Sequence, residues 1–264
     1  MQNKPESDSL SYYQLSGIHG IPFIPWQETS VSTQDPTRGY CTHNTPLFAT
    51  WHRPFLSLFE QRLVKHAEYE ASKFTGSEAA RWKKAASLVR LPYWDWAATD
   101  LQSRQPRQLT AQTVSVRRAG TGGVPQTVSV ANPLREYRFR DNARRAATFS
   151  NQFATSAFTR RQPPSNAMSS SDFAEVDSAM NEQYASRRRQ TLGLFSIANF
   201  GQFASTQQTA SGAPNSFNSI ESIHNLVHVS VGGEWGHMTA VPYSAVCFPV
   251  PPHFSIGTSN ILSV

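Results

Sequence analysis

The chain has 264 residues, of which 39% are hydrophobic, 11% aromatic and 16% charged. This length and composition suit one globular core and exclude a fibrous or largely disordered protein. The formal net charge is +6, with arginine clusters in the middle of the chain and no zinc-finger, helix-turn-helix or RNP pattern beside them. We therefore expect a solvated arginine-rich surface and no nucleic-acid partner.

No run in the sequence approaches the roughly 20 apolar residues of a membrane helix, so we expect no membrane contact. The N-terminus has no basic segment followed by an apolar one, which is the pattern of a secretory signal. Cys41 and Cys247 are the only cysteines and cannot build a disulfide framework. These features predict a cytoplasmic or other intracellular protein, and none of them indicates an oligomeric state.

Two helices are predicted in the first third of the chain. Apolar residues recur at three- and four-residue steps over residues 50–74, which is typical of an amphipathic helix. Proline is tolerated only near the start of a helix, so Pro54 places His52 where this helix begins. Residues 77–89 form a second predicted helix, with Ser77 as its N-cap.

The rest of the chain predicts a β-hairpin and further helices. The motif "QTVSV" occurs twice between residues 112 and 130, on either side of a Gly-rich turn, and predicts the hairpin. Residues 135–157 suggest a loop followed by a helix. Residues 172–192 predict a helix with Ser171 as N-cap, and "SFNSIESIHNLVHVSVGG" predicts one that ends at Gly232. Long loops join these elements.

The last predicted helix carries a histidine pair. His224 and His228 are four residues apart, so both imidazoles lie on one helix face and suit one ion of zinc, copper, iron or nickel. The sequence "HNLVH" has Asn225 where a zinc protease of the H-E-x-x-H type has its glutamate, which argues against that class. Glu221, one turn earlier, either holds a water beside the metal or is an ordinary helix charge.

Three further histidines lie in the first fifth of the chain. His43 is in a Pro- and Thr-bearing loop, His52 begins a helix, and His19 occurs in "SGIHGIPF". A buried metal site takes its ligands from different elements in this way. Ligation by imidazoles without cysteine pairs argues against structural zinc and favours copper or a catalytic zinc. His66, on the face of a predicted helix, is expected to be an ordinary helical residue.

Several motifs together resemble those of the fungal tyrosinases, the binuclear type-3 copper proteins. They are "GIHG", "GYCTHNTPLFATWHRPFLSLFEQRL", "LPYWDWA", "NPLREYRF", "SIESIHNLVH" and "GGEWGHM". The resemblance runs from about residue 11 to residue 245. It implies a mainly α-helical bundle around two copper ions, each held by three histidines, with dioxygen as co-substrate. It also implies hydroxylation of monophenols to o-diphenols and oxidation of o-diphenols to o-quinones, with a small phenol as substrate.

The resemblance assigns metal ligands by position. His19, His43 and His52 match the ligands of the first copper, CuA, and His224 and His228 match the first two ligands of the second, CuB. Cys41 matches the cysteine that forms a thioether to the second CuA histidine, which is His43 here; a free buried thiol is the alternative.

Other residues match family positions with different roles. Glu221 and Asn225 match a pair proposed to hold a water that deprotonates a monophenol. Val229 matches a position that shapes substrate access to the site. His237 matches a position that is not a ligand and helps to hold the loop after the CuB helix. The matching segment around Trp94, Asp95 and Trp96 is structural, and we assign it no chemistry.

The sequence departs from the family pattern after "GHMTAVPYSA". The family continues there with a Phe-Asp-Pro segment and a His-His pair, which supply the third CuB ligand on a last helix. Here the chain reads "VCFPVPPHFSIGTSNILSV", and its one histidine, His253, lies in a Pro-rich tail. We therefore expect an incomplete copper domain over residues 1–245, a non-family tail over 246–264, and a weak or empty CuB site. A frameshift, a retained intron or an alternative splice near residue 245 is the hypothesis that this change suggests.

The sequence thus predicts a copper oxidoreductase of the tyrosinase type, with melanin-like pigment chemistry. Alternatives are a catechol or o-aminophenol oxidase without monophenolase activity, or an inactive form lacking a complete CuB site. An oxygen carrier related to haemocyanin is a further alternative, and the pairing of Glu221 with Asn225 argues for the enzyme instead.

Overall fold

The structure is a computed structural model that describes residues 1–20, 23–26, 41–92, 94–97, 105–148, 157–162, 171–206 and 218–232. Its helices are α1 Tyr12–Gly17, α2 Phe48–Ser72, α3 Glu78–Ser87, α4 Arg107–Thr110, α5 Asn142–Thr148, α6 Phe173–Glu182, α7 Tyr184–Gly193, α8 Phe200–Ala204 and α9 Ile220–Val231. Two strands, β1 Thr113–Ala119 and β2 Pro125–Ala131, form the one sheet within these residues. The mainly α fold with a small hairpin is confirmed. Among the described helices, not one combines the length and hydropathy that a membrane span requires.

The long helix α2 lies where the apolar periodicity placed it. It begins at Phe48, two residues earlier than predicted, so that Pro54 lies inside the helix and His52 in its second turn. Phe48, Phe55 and Phe59 are buried at seven- and four-residue spacings and form the face that enters the core. Pro54 lies beyond the first turn, so its missing N–H removes the hydrogen bond to the Thr50 carbonyl. His52 therefore lies one turn further into the helix than predicted.

The hairpin follows the repeated motif. Strands β1 and β2 are antiparallel, with Val116 opposite Val128, and a 3-10 turn at Thr121–Gly123 joins them. The hairpin tip packs against the end of α2, since Thr75 donates its backbone N–H to Gly123 and its hydroxyl to Gly122. Helix α3 begins at Glu78 as predicted, although the Ser77 side chain makes no capping hydrogen bond.

One predicted helix is two helices in the structure. Residues 172–192 divide into α6 and α7, which meet at Gln183. The N-cap of α6 is Asp172, whose side chain accepts the N–H of Glu175, and not Ser171 as predicted. The Ser171 hydroxyl instead accepts the N–H of Arg161 from the preceding segment. Either serine or aspartate suits an N-cap, and the tertiary contact to Arg161 decides between them.

Helix α9 is the central helix of the site. Ser219 and Ser222 form a reciprocal capping box at its start, and Gly232 ends it with a φ of 56°. The helix contacts α2, α6, α7 and α8. Most of its residues are buried, because it is surrounded on several sides by these helices. It therefore presents its two histidines to the core rather than to solvent.

Candidate metal centre

The first group of histidines reaches the core from three local settings. His19 follows the C-cap of α1, His43 lies in the segment before α2, and His52 lies on α2 itself. The Nδ1–H of His52 donates to the carbonyl of Phe48 at 2.7 Å, one turn earlier in the helix. This hydrogen bond fixes the ring and leaves the Nε2 lone pair facing the interior, as a metal ligand requires.

The second group is the pair on α9. The Nε2 atoms of His224 and His228 lie 2.8 Å apart. The Nδ1–H of His224 donates to Oδ1 of Asn225 at 3.0 Å, so its Nε2 also carries the lone pair. Asn225 therefore orients a predicted ligand directly, a role that spacing alone did not reveal.

The fold brings the two groups together. The ligand atoms of four histidines lie within 4.8 Å of one another, and these four are His19, His43, His52 and His224. His228 joins them through its 2.8 Å contact with His224, and its ring stacks on that of His19 with 6.4 Å between centroids. All five predicted ligands thus converge, from sequence positions more than 200 residues apart.

Aromatic side chains enclose this cluster. Phe48 packs against the His52 ring with 4.2 Å between centroids, and Phe55 stacks on His19 at 5.5 Å. Trp51 contacts both His19 and His52. The aromatic residues of the sequence "FATWHRPF" therefore shield the imidazoles from water, with His19 buried and His52 half-buried. This shielding strengthens the electrostatic interactions among the rings.

Burial sets the protonation state of the cluster. It lowers the pKa of His224 to about 3 and the pKa of His19, His52 and His228 well below the usual histidine value. Burial also lowers the pKa of His43, against the opposing charge of Glu221. Repulsion among imidazolium groups adds to the effect for most of them. The rings are therefore neutral at neutral pH and have lone pairs available for a metal.

Cys41 is buried against two of these rings. Its Sγ lies 3.1 Å from Nε2 of His52 and 3.8 Å from Nε2 of His43. Burial raises the pKa of the thiol well above its usual value, so Cys41 is a neutral S–H in this environment. The thioether to His43 stays a prediction. The sulfur lies near the His43 ring but nearer to Nε2 of His52.

Glu221 is fully buried on α9, one turn before His224. Its Oε1 accepts the backbone N–H of Asn44 at 2.7 Å, and its Oε2 accepts the N–H of Thr206 at 2.9 Å. The Thr206 hydroxyl lies 3.2 Å from the same Oε2. Asn44 and Thr206 were not predicted from the sequence. They lie 177 and 15 residues from Glu221, and no sequence motif connects positions that far apart.

The other predicted residues have mixed settings. Val229 follows His228 on α9, and its side chain is 58% exposed. Trp94 and Trp96 are buried, and Asp95 accepts the N–H of Ala97, which is consistent with a structural segment. His66 lies on α2 and is not among the clustered histidines. His237, His253 and the predicted non-family tail over 246–264 lie outside the described residues. The predicted loss of the last CuB helix concerns the same part of the chain and stays a prediction.

The donor set fits copper. It offers neutral imidazole nitrogens, buried at His19 and His224 and half-buried at His43 and His52, which copper and zinc both accept. The group contains no carboxylate of the kind that magnesium or calcium would need. Three of the clustered histidines come from the N-terminal segments and two from α9. Asn225 and the carbonyl of Phe48 supply the outer hydrogen bonds that hold ligands in place.

Comparisons with known proteins identify the fold and the domain. The family model "Common central domain of tyrosinase" matches residues 9–247. The chain is 34% identical to a tyrosinase of Podospora anserina over 247 residues, which is 91% of this chain and 42% of that protein. A tyrosinase of Neurospora crassa is 34% identical over 254 residues, 92% of this chain and 36% of that protein.

A solved structure has the same fold. The structure of recombinant mushroom tyrosinase superposes with a TM-score of 0.75 at 30% identity, over 92% of this chain and 42% of that one. The chain therefore spans about two fifths of the length of these relatives.

Proposed function

The chain belongs to the tyrosinase family, and we propose that it is a copper oxidoreductase that oxidises small phenols with dioxygen as co-substrate. In this proposal it hydroxylates monophenols to o-diphenols and oxidises o-diphenols to o-quinones, as in the formation of melanin-like pigments. The observation that carries the proposal is the convergence of four imidazole ligand atoms within 4.8 Å of one another, two of them on buried and two on half-buried histidines.

Two groups of residues would hold the metal. His19, His43 and His52 would hold one copper ion, and His224 and His228 would hold the other. When bound, the copper pair supplies the one-electron redox chemistry that lets dioxygen oxidise a phenol. The chain itself keeps the ligands neutral by burial, orients His52 through the Phe48 carbonyl, and orients His224 through Asn225.

The monophenol reaction needs a group that removes the phenol proton. Glu221 and Asn225, one turn apart on α9, are the proposed holders of a water for this purpose. Val229, exposed beside His228, is proposed to shape substrate access to the site. The resemblance to tyrosinases supports these roles.

One observation favours the second candidate, a catechol or o-aminophenol oxidase without monophenolase activity. Both carboxylate oxygens of Glu221 accept hydrogen bonds from backbone N–H groups, Oε1 from Asn44 and Oε2 from Thr206. These hydrogen bonds occupy lone pairs that would otherwise be free to hold a water. An o-diphenol is more acidic in its first ionisation and is oxidised without an added hydroxyl, so its turnover depends less on such a base.

The test uses the purified chain loaded with copper. Metal content per chain is measured first, and oxygen consumption is then followed with a monophenol and with an o-diphenol in parallel. Turnover of both substrates supports the tyrosinase proposal, and turnover of the o-diphenol alone supports the second candidate. One copper per chain with no turnover indicates a form without a complete CuB site, and two coppers with no turnover of either substrate contradict both proposals.

The matched control is His66→Ala. His66 lies on the same helix as His52 but is not among the clustered histidines. Its removal is expected to leave copper content and oxygen consumption unchanged. His52→Ala is expected to abolish copper binding at the site of His19, His43 and His52, and with it oxygen consumption.

A further inference from the structure

We propose that Thr206, Asn44 and Glu221 form a hydrogen-bonded latch that positions His43 against the histidines of α9, with Thr206 as the positioning residue. The proposal rests on the proposed function in that these histidines are taken as metal ligands. It assigns to Glu221 a second role, separate from any part in deprotonating a substrate. The latch joins three segments of the chain, namely the His43 segment, the segment after α8, and α9.

The first half of the latch is a backbone contact beside His43. Asn44, the next residue, donates its N–H to Oε1 of Glu221 at 2.7 Å. Its φ of 57° lies in the left-handed region, which non-glycine residues adopt uncommonly and asparagine tolerates best. A charge-assisted hydrogen bond at this position stabilises the turn that aims His43 at the cluster.

The second half is made by Thr206. Its backbone N–H and its hydroxyl lie 2.9 and 3.2 Å from Oε2 of Glu221. The same hydroxyl lies 2.6 Å from Oδ1 of Asn44. A hydroxyl has one proton and two acceptors within reach here, so it donates to the nearer Asn44 oxygen and contacts the carboxylate as well. Thr206 therefore connects to both other members of the latch.

The buried carboxylate of Glu221 favours the arrangement in which its hydrogen bonds to Asn44 and Thr206 are formed. A carboxylate that is fully buried, as Glu221 is, must be compensated by hydrogen bonds, because an uncompensated buried charge is strongly unfavourable. Moving the His43 segment away from α9 would remove the Asn44 donor from this carboxylate. The same displacement would separate the rings of His43 and His224, whose centroids lie 5.8 Å apart.

The polar contacts of His43 come from its own segment of the chain. The ring of His52 is oriented by the Phe48 carbonyl and that of His224 by the Asn225 amide. The His43 ring lies 3.8 Å from the Cys41 sulfur and also has a hydrogen bond with the Cys41 backbone, two residues earlier. These contacts orient the ring within its segment, and the latch connects that segment to α9.

The experiment replaces the Thr206 hydroxyl and measures metal binding. Thr206→Val keeps the shape and the backbone N–H but removes the hydroxyl, and Thr206→Ser restores it. Cobalt(II) is titrated into the metal-free chain, its affinity is measured by chelator competition, and its visible spectrum reports the ligand geometry. Loss of an outer-shell contact of this kind is expected to weaken metal binding on the order of tenfold and to alter the spectrum. Thr206→Ser is expected to recover both.

A matched control and a second readout separate positioning from general destabilisation. Thr191→Val removes a threonine hydroxyl that bonds the Arg187 carbonyl within α7, and it is expected to leave cobalt binding unchanged. With copper, Thr206→Val is expected to lower kcat for an o-diphenol, a substrate for which the water-holding role of Glu221 is not needed, while KM changes little. If the valine variant does not fold, Thr206→Ala provides the same loss of the hydroxyl.

Unchanged cobalt affinity and spectrum in a folded Thr206→Val or Thr206→Ala chain would overturn the latch. So would a loss that Thr206→Ser does not recover. A wild-type chain that binds cobalt but oxidises no phenol when loaded with copper contradicts the proposed function alone, and the affinity comparison still decides the latch.

Discussion

The Nε2 atoms of His224 and His228 lie 2.8 Å apart, one turn from each other on α9. Since the Nδ1–H of His224 donates to Asn225, its Nε2 carries a lone pair, and a hydrogen bond between the two rings requires the proton on Nε2 of His228. Metal binding requires lone pairs on both atoms. Binding at this pair is therefore coupled to removal of the proton from Nε2 of His228.

Replacing His224 is expected to disable the α9 half of the site. His224→Ala removes one of two ligands on this helix together with the Asn225 hydrogen bond, so copper bound at this half is expected to weaken by at least about tenfold. Copper content per chain and chelator competition measure the effect, with His66→Ala as the matched histidine deletion. Equal copper content and affinity in wild type and His224→Ala would show that α9 holds no metal.

The metal-free chain is expected to lose stability in mild acid. Burial lowers the folded-state pKa of the clustered histidines, to about 3 for His224, whereas unfolded histidines titrate near 6.5. The unfolded state thus binds more protons below that value. Stability is fully present above about pH 6.5 and falls with decreasing pH by about 1.4 kcal/mol per pH unit for each such proton.

Urea denaturation of the metal-free chain at a series of pH values measures this slope. Replacing His224 by Phe, which stays neutral, is expected to reduce the slope by the contribution of one proton. A free energy of unfolding that stays constant through this range in the wild type would mean that the cluster is not buried as the structure has it.

The end of α9 is expected to require glycine at position 232. Gly232 has a φ of 56° and ψ of −144°, a region that is essentially restricted to glycine. A Cβ there would also lie within 2.3–2.6 Å of the Gln162 side-chain amide, which donates to the carbonyls of Val229 and Ser230. Backbone strain alone costs about 1–3 kcal/mol at such a position. Because the contact with Gln162 adds to this cost, Gly232→Ala is expected to reduce the free energy of unfolding by that amount or more.

Gly122→Ala is the matched control for this change. Gly122 also has a positive φ, 67°, but a Cβ there would meet nothing within 4 Å. Its replacement is expected to be destabilising by only about 1 kcal/mol, from backbone strain. Equal losses in the two variants would show that the Gln162 contact does not contribute.

Cys41 is expected to become covalently linked when copper and dioxygen are supplied. A thioether from its sulfur to the His43 ring replaces an S–H and a ring C–H by one C–S bond, so the chain loses two hydrogens while dioxygen is reduced. Intact-mass analysis and peptide mapping detect this change, with Cys41→Ser as the control that shows none. A link mapped to His52, whose Nε2 is nearer to the sulfur, would contradict the assignment to His43.

Local sequence patterns determined several elements of this protein. The helix over residues 50–74, the hairpin from the repeated "QTVSV" and the α9 helix ending at Gly232 follow from periodicity, turn residues and a glycine stop, which act between near neighbours in the chain. The histidines were nominated in the same way, by their type and spacing together with a family resemblance.

Only the tertiary structure decided how these pieces support one another. The break between α6 and α7, the choice of Asp172 over Ser171 as N-cap, and the contacts of Glu221 with Asn44 and Thr206 depend on segments that packing brings together. No sequence spacing encodes a hydrogen bond across 177 positions. Such bonds form because a buried carboxylate must find donors wherever the folded chain supplies them.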